Sequence, residues 1–327
     1  MEYNNIGFAR GSIMKGKWGL VIILLVPSFI LLSASISYSR TWYVKPDGTG
    51  DAPTIKAAID SSMAGDTVLV ALGTYTIESR IRCTGKSNLT ILSEEGPENT
   101  DIVGSGSNVS FDIPGLSNFI LKGFTISKCP IYVYWCSDVI IENNILKSGA
   151  PLILEAGGGH EIRDNLIYSC EIGIDCSDYC MDVKIYNNTI AYCHSSYGWP
   201  AGSGICLGAG SYTIYNNIIT NNTYGIVSIS TTVYLDCNNV WGNTENNYDL
   251  TFFPDPTGTN GNISLDPQFC GDDPLESSNF YLQSDSPCAP GNHPDGYDCS
   301  LIGKYSVGCG STSVREASWG KIKSIFK

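Results

Sequence analysis

Between Leu121 and Val240 one six-residue pattern keeps returning: an apolar residue, two others, asparagine, one other, an apolar residue. It reads IENNIL (141–146), IRDNLI (162–167), IYNNTI (185–190), IYNNII (214–219) and LDCNNV (235–240). The shared asparagines are Asn144, Asn165, Asn188, Asn217 and Asn238, spaced 21, 23, 29 and 21 residues apart. An earlier copy, LKGFTI (121–126), has Phe124 in that place, 20 residues before Asn144. A second apolar segment falls between the copies: PIYVYW (130–135), PLILEA (151–156), GIDCSD (173–178), GICLGA (204–209) and GIVSIS (225–230). Each repeat therefore holds two or three short strands separated by turns. One such coil cannot bury its apolar face alone. Stacked coils can, and each then pairs its backbone with the coils above and below.

Five asparagines at one coordinate predict a ladder. Stacked amides can bond both to one another and to the backbone of a buried turn. Cys170 and Cys193 each lie five residues after a ladder asparagine. They are expected one above the other, with Cα atoms about 4.8 Å apart, either as a disulfide or as two stacked thiols. Cys129 holds the same coordinate relative to Phe124, two coils away.

A solenoid needs both ends capped. Residues 53–60, PTIKAAID, place Ile55, Ala58 and Ile59 on one helical face and are expected to plug the first coil. Residues 66–70 are expected to form the first strand and residues 73–75 a turn. Beyond Asn243 the repeat fades. Residues 254–310 are rich in Pro, Gly and Asp and carry Cys270, Cys288, Cys299 and Cys309. Four cysteines allow three pairings, and a disulfide-held, loop-rich cap is expected there. Residues 311–327 read as a short tail.

The N-terminus changes the picture of where the protein works. Arg10, Lys15 and Lys17 precede an apolar run of 15 residues, Trp18 to Leu32, followed by small residues up to Ser39. Residues 1–39 are therefore expected to be a secretion signal. The run is short for a membrane span, which needs about 20 residues. Met14 is an alternative start. Export to the cell surface or beyond permits disulfides, and the odd count of 13 cysteines leaves at least one unpaired or intermolecular. Residues 1–39 hold three of the 19 basic and one of the 32 acidic side chains, so the chain beyond them carries a balance of −15. That sign argues against nucleic acid as a partner. A monomer without a membrane span is expected. Charged residues make up only 16% of the chain, too few for long helical surfaces and in keeping with strands and turns.

The segment PTIKAAIDSSMAGDTVLVALGTYT (53–76), the repeats over 118–243 and LDPQF…YLQSDSPCAPGN (265–292) together resemble secreted bacterial proteins of the pectin-lyase-like superfamily. The resemblance implies an all-β fold: a right-handed parallel β-helix solenoid over 40–253, with an N-terminal capping helix and the disulfide-containing cap over 254–310. It also implies a polysaccharide partner. Members include polysaccharide lyases, glycoside hydrolases, epimerases and adhesins, and fold alone does not choose among them. In the carbohydrate-active members the cleft lies on the outer side of one sheet, beside long turns.

Here that sheet maps to the strands starting at Ile131, Leu152, Ile174, Ile205 and Ile226. Alternation sends Tyr132, Ile153, Asp175, Cys206 and Val227 outward as one column. Tyr134, Glu155, Ser177, Gly208 and Ile229 form the next. The one long insertion, residues 194–203, joins this sheet and brings Tyr197 and Trp199. Tyr132, Tyr134, Trp135, Tyr197 and Trp199 are candidates for stacking on sugar rings. Glu155 and Asp175, with Cβ atoms expected about 8 Å apart, are the candidate carboxyl pair for hydrolysis. His160, after three glycines, is the candidate acid–base residue of a nearby turn. Asp175, Asp178 and Asp182 are candidates for Ca²⁺, which takes oxygen ligands. The basic residue expected of a lyase is missing from these columns, since Arg163 and Lys184 fall on the next strand. A complete catalytic set is not legible. The sequence reads as an exported polysaccharide-binding protein, with a carbohydrate-active enzyme as the alternative.

Overall fold

The structure, a computed structural model, describes residues 39–106, 108–230, 232–271 and 276–309. The expected signal, apart from Ser39, and the expected tail lie outside the described residues. The chain forms a right-handed parallel β-solenoid of about 9 turns. Every ladder between its strands is parallel. A typical coil has three short strands, so the stack has three faces.

The first face is built from Phe111–Pro114, Ile131–Ser137, Leu152–Gly158, the start of Ile174–Tyr186, Ser203–Leu207, Tyr224–Ser228 and Asn246–Leu250. The second holds Ile120–Lys122, Ile140–Glu142, Glu161–Arg163, the end of Ile174–Tyr186, Gly210–Tyr215 and Thr232–Asp236. Ile174–Tyr186 runs unbroken through a corner and joins the first two faces into one sheet of 16 strands. The third face is a separate 8-stranded sheet running from Gly73–Ile77 to Asn239–Trp241.

Stacking in register explains the apolar columns. Ile131, Leu152, Ile174, Ile205 and Ile226 align on the first face and are all buried. Leu121, Ile141, Ile162, Ile185 and Ile214 do so on the second. The corner between the second and third faces holds the asparagine ladder. Asn144 Nδ2 donates to Asn165 Oδ1 at 3.2 Å, and the chain of amides continues through Asn188, Asn217 and Asn238. It ends on Asn262, inside the segment expected to be cap. Each amide also donates to a second-face carbonyl, as Asn165 does to Ile141 O at 2.8 Å. At the next corner a second ladder runs Asn222, Asn243, Asn247. The thiols of Cys170 and Cys193 continue that coordinate downward. They are buried and unbridged.

The plugging helix is Ile55–Ser61, capped by the Thr54 hydroxyl, with Ile55, Ala58 and Ile59 buried in the core. The first strand is Thr41–Val44, ahead of this helix, and not residues 66–70, which supply the second. Residues 73–75 are strand and not turn, because Gly73–Ile77 pairs with Thr100–Gly104.

The C-terminal segment does more than close the last coil. Its disulfides are Cys237–Cys299 and Cys270–Cys309. The expectation that the four cap cysteines pair among themselves is therefore corrected: Cys237 comes from the repeat, and Cys288 stays free and buried. Cys237 sits at a left-handed corner position (φ 50°), next to the ladder. The segment then runs back over the outer side of the third face. Phe280 packs on Tyr168 with ring centroids 5.5 Å apart, and Lys304 Nζ donates to Asn143 Oδ1 and Asp164 O. This covering explains why the third-face strands, such as Leu166–Tyr168, are buried on both sides.

Candidate functional site

The outer side of the first face remains open. Its first outward column runs Asp112, Tyr132, Ile153, Asp175, Cys206, Val227, Asp249. The second begins Pro114, Tyr134, Glu155. There the structure departs from the expected register. An extra residue enters between Cys176 and Asp178, so Glu155 stands beside Asp178 and not Ser177. Ser177 turns back and donates to Leu154 O. A β-bulge thus puts a second carboxylate next to Glu155.

Asp175, level with Ile153, lies two strand positions before this pair, half-buried. Burial, reinforced by the charge of Asp178, holds its carboxyl above the usual range, against the opposing pull of the Cys206 thiol. The same burial, with the Asp175 charge, pushes the Cys206 thiol up to about 12. Glu155 and Asp178 are exposed. Asp112 is buried and takes up Arg80 at 3.3 Å, the Ser110 hydroxyl at 2.7 Å and the Tyr134 hydroxyl at 3.5 Å.

Aromatic side chains flank these acids. Tyr132 and Tyr134 are half-buried, and Trp135 is 75% exposed. The insertion places Tyr197 and Trp199 at 74% and 54% exposure. The Trp199 indole donates to Asp249 at 3.0 Å, so the loop climbs two coils above its own strand. Sequence reasoning missed Tyr179. It stands at the corner next to Asp178, 72% exposed, because the bulge moves it into the coordinate of Trp135.

Two expectations are corrected. His160 does not reach this face. It occupies an inward column, level with Val139 and Val183, fully buried. Its Nδ1 accepts from the Val139 N–H at 3.3 Å, and burial lowers its pKa to about 4. It can serve no substrate on the outer surface. The three aspartates considered for Ca²⁺ do not converge either. Asp182 turns onto the second face and bonds Ser211. Among the described residues no three His, Cys, Asp or Glu side chains are grouped to hold a metal ion. Arg163 and Lys184 also lie on the second face, tied to Glu142 and Glu161. No helix of the described residues is long and apolar enough to cross a membrane.

Fold and register together define a parallel β-helix protein of the pectin-lyase-like superfamily. Residues 59–258 match the family described as periplasmic copper-binding protein (NosD), and the chain belongs to that family. Among solved structures it is similar to pectate lyase Pel9A, at 14% identity and a TM-score of 0.50, over 84% of this chain and 98% of that one. A rhamnogalacturonan lyase is also 14% identical, with a TM-score of 0.46, over 63% of this chain and 74% of that one. A pectin methylesterase from Aspergillus niger, again 14% identical, has a TM-score of 0.32 over 74% of this chain and 96% of that one. No curated protein sequence matches. At these identities the neighbours speak for fold alone.

Proposed function

We propose that this is an exported protein that binds polysaccharide along the outer side of its first face. The observation that carries the reading is the pair of uncovered rings Trp135 and Trp199 on one open sheet, the first next in chain to the strand position level with Glu155 and the second bonded to Asp249. Sugar rings present flat apolar faces with polar rims, and an aromatic ring beside a carboxylate binds both parts. Two disulfides fit an oxidising compartment outside the cytoplasm.

The family's description names copper. The residues of this chain do not fit that ion among the described positions. No three donors meet, and eight of the nine unbridged thiols are buried. No copper chemistry is proposed.

One observation favours a second reading, a carbohydrate-active enzyme. Asp175 is held toward its neutral form while Glu155 and Asp178 stand exposed nearby. Hydrolysis of a glycoside needs such a division between an acid and a base.

The test is a polysaccharide panel with the purified protein, with and without Ca²⁺. Retardation in polysaccharide-containing gels reports binding, reducing ends report hydrolysis, and ultraviolet absorbance of unsaturated uronate ends reports elimination. Retardation that is lost in Trp135→Ala, without product, is the expected result. Product lost in Glu155→Gln or Asp175→Asn supports the second reading. Silence in all three assays overturns both.

A further inference from the structure

The corner that follows the first face carries a pair of aromatics whose placement has no packing explanation. Trp135, Ala156 and Tyr179 fall in register, between the paired residues Tyr134, Glu155, Asp178 on one side and Cys136, Gly157, Cys180 on the other. All three have left-handed backbone, with φ of 58°, 53° and 46°. Most such corners in this solenoid use Asn, Asp, Ser or Gly: Asn118, Asp138, Asn143, Ser148, Asp164 and Asn187 are examples. Those residues tolerate the conformation, whereas bulky side chains are strained in it. Tyr192 is another aromatic at such a corner, and it packs on Phe280. Trp135 and Tyr179 stay 75% and 72% exposed. Strain held without a packing return is the mark of a working position.

Their spacing says what they fit. Two coils separate the rings, about 10 Å at the spacing of parallel strands, and the small Ala156 leaves the interval clear. That is comparable to two residues of an extended β-linked sugar chain, in which every second ring presents the same face. The charge beside them narrows the sugar. Glu155 and Asp178 flank the corner. The cations of this face stand at its far end, Arg82 in the first outward column beside Asp112 and Arg80 tied to Asp112, while every Lys and Arg between residues 83 and 251 lies off the outward columns.

We propose that Trp135 and Tyr179 form a two-ring platform for a β-1,4-linked amino-sugar polymer lying along the solenoid axis. Alternate rings stack on the two aromatics, and protonated amines meet Glu155 and Asp178. A polyuronate would bring its own carboxylates against these two. This inference rests on the polysaccharide-binding reading and names its ligand class.

The test is calorimetry near pH 5.5, where glucosamine amines are protonated and exposed carboxyls ionised. Three probes are compared: the β-1,4 glucosamine hexamer, its N-acetylated form, and the galacturonate hexamer. The glucosamine hexamer is expected to bind at least tenfold more tightly than either. Trp135→Ala and Tyr179→Ala, which change no charge, should each weaken it about tenfold, and Glu155→Gln with Asp178→Asn should abolish its preference over the N-acetylated form. Circular dichroism checks that each variant is folded. Tightest binding of galacturonate or of the acetylated hexamer, still lost in Trp135→Ala, overturns the amino-sugar inference and leaves the binding reading standing. Glucosamine binding that survives both aromatic substitutions overturns the platform, since it reflects only attraction to an acidic protein. No binding by any hexamer, together with silence across the polysaccharide panel, removes the reading beneath it.

Discussion

Glu155 stands beside Asp178 because the strand carrying Asp178 gains one residue after Cys176. Without that bulge Glu155 would face Ser177, and Tyr179 would turn away from the coordinate of Trp135. One inserted residue therefore creates both the carboxylate pair and the aromatic pair. Deleting Ser177 removes the surplus residue but keeps Asp178 beside Glu155 and Tyr179 level with Trp135, so the folded deletion variant is expected to retain glycan binding in an affinity-gel assay. Loss of binding by a folded deletion variant would show that the register of these side chains is not what makes the site.

The ladder predicts an asymmetry between neighbours. Asn188 Oδ1 accepts from both the backbone and side-chain amides of Asn165, and its Nδ2 reaches Ile162 O and Asn217 Oδ1. Asn188→Ala leaves buried groups unpaired and should cost about 3 kcal/mol. Asn187→Ala next to it loses one long contact to Asp164 and a left-handed residue, about 1 kcal/mol. Urea titration of the two variants reads the difference directly. Equal midpoints would count against the ladder.

Burial of His160 makes the fold acid-sensitive. Folded, it protonates only near pH 4, whereas an unfolded His does so near 6.5. Between those values the unfolded chain binds more protons. Stability must therefore fall as pH drops from about 6.5 to about 4, and this group alone accounts for about 3 kcal/mol of it. His160→Leu, which suits a column shared with Phe119 and Val183, should flatten that part of the pH profile. An unchanged slope would mean that His160 is not buried neutral.

Disulfide mapping of the oxidised protein should return Cys237 joined to Cys299 and Cys270 joined to Cys309, with nine free thiols released on denaturation. Cys299→Ala should cost about 4 kcal/mol, given its loop of 62 residues. Cys288→Ala, which breaks no bridge, should cost less. A Cys288 disulfide in the map would contradict the arrangement of the cap.

The solenoid was legible because its repeat is written in the register of Asn144, Asn165, Asn188, Asn217 and Asn238. The second ladder was hidden. Its coordinate holds Cys170 and Cys193 in two coils and asparagine only from Asn222 onward, so no single residue type repeats. The bulge left a trace in the 23-residue step from Asn165 to Asn188, two longer than its neighbour. One of the extra residues falls before Ile174 and the other beside Ser177. Spacing alone does not say where a coil absorbs its surplus. His160 read as a turn residue because three glycines precede it, but those glycines belong to the corner and the next position points inward. The cap pairing was out of reach for a similar reason: Cys237 looks like part of the repeat, and only the path of the strap brings Cys299 to it.

Hydroxyl-radical footprinting in the presence of each glycan tests the binding face most directly. A retained glycan is expected to protect Trp135 and Tyr179 while Tyr234 and Met63, exposed elsewhere, stay reactive. Protection of Tyr234 or Met63 with Trp135 and Tyr179 unchanged would place the ligand on another surface and contradict it.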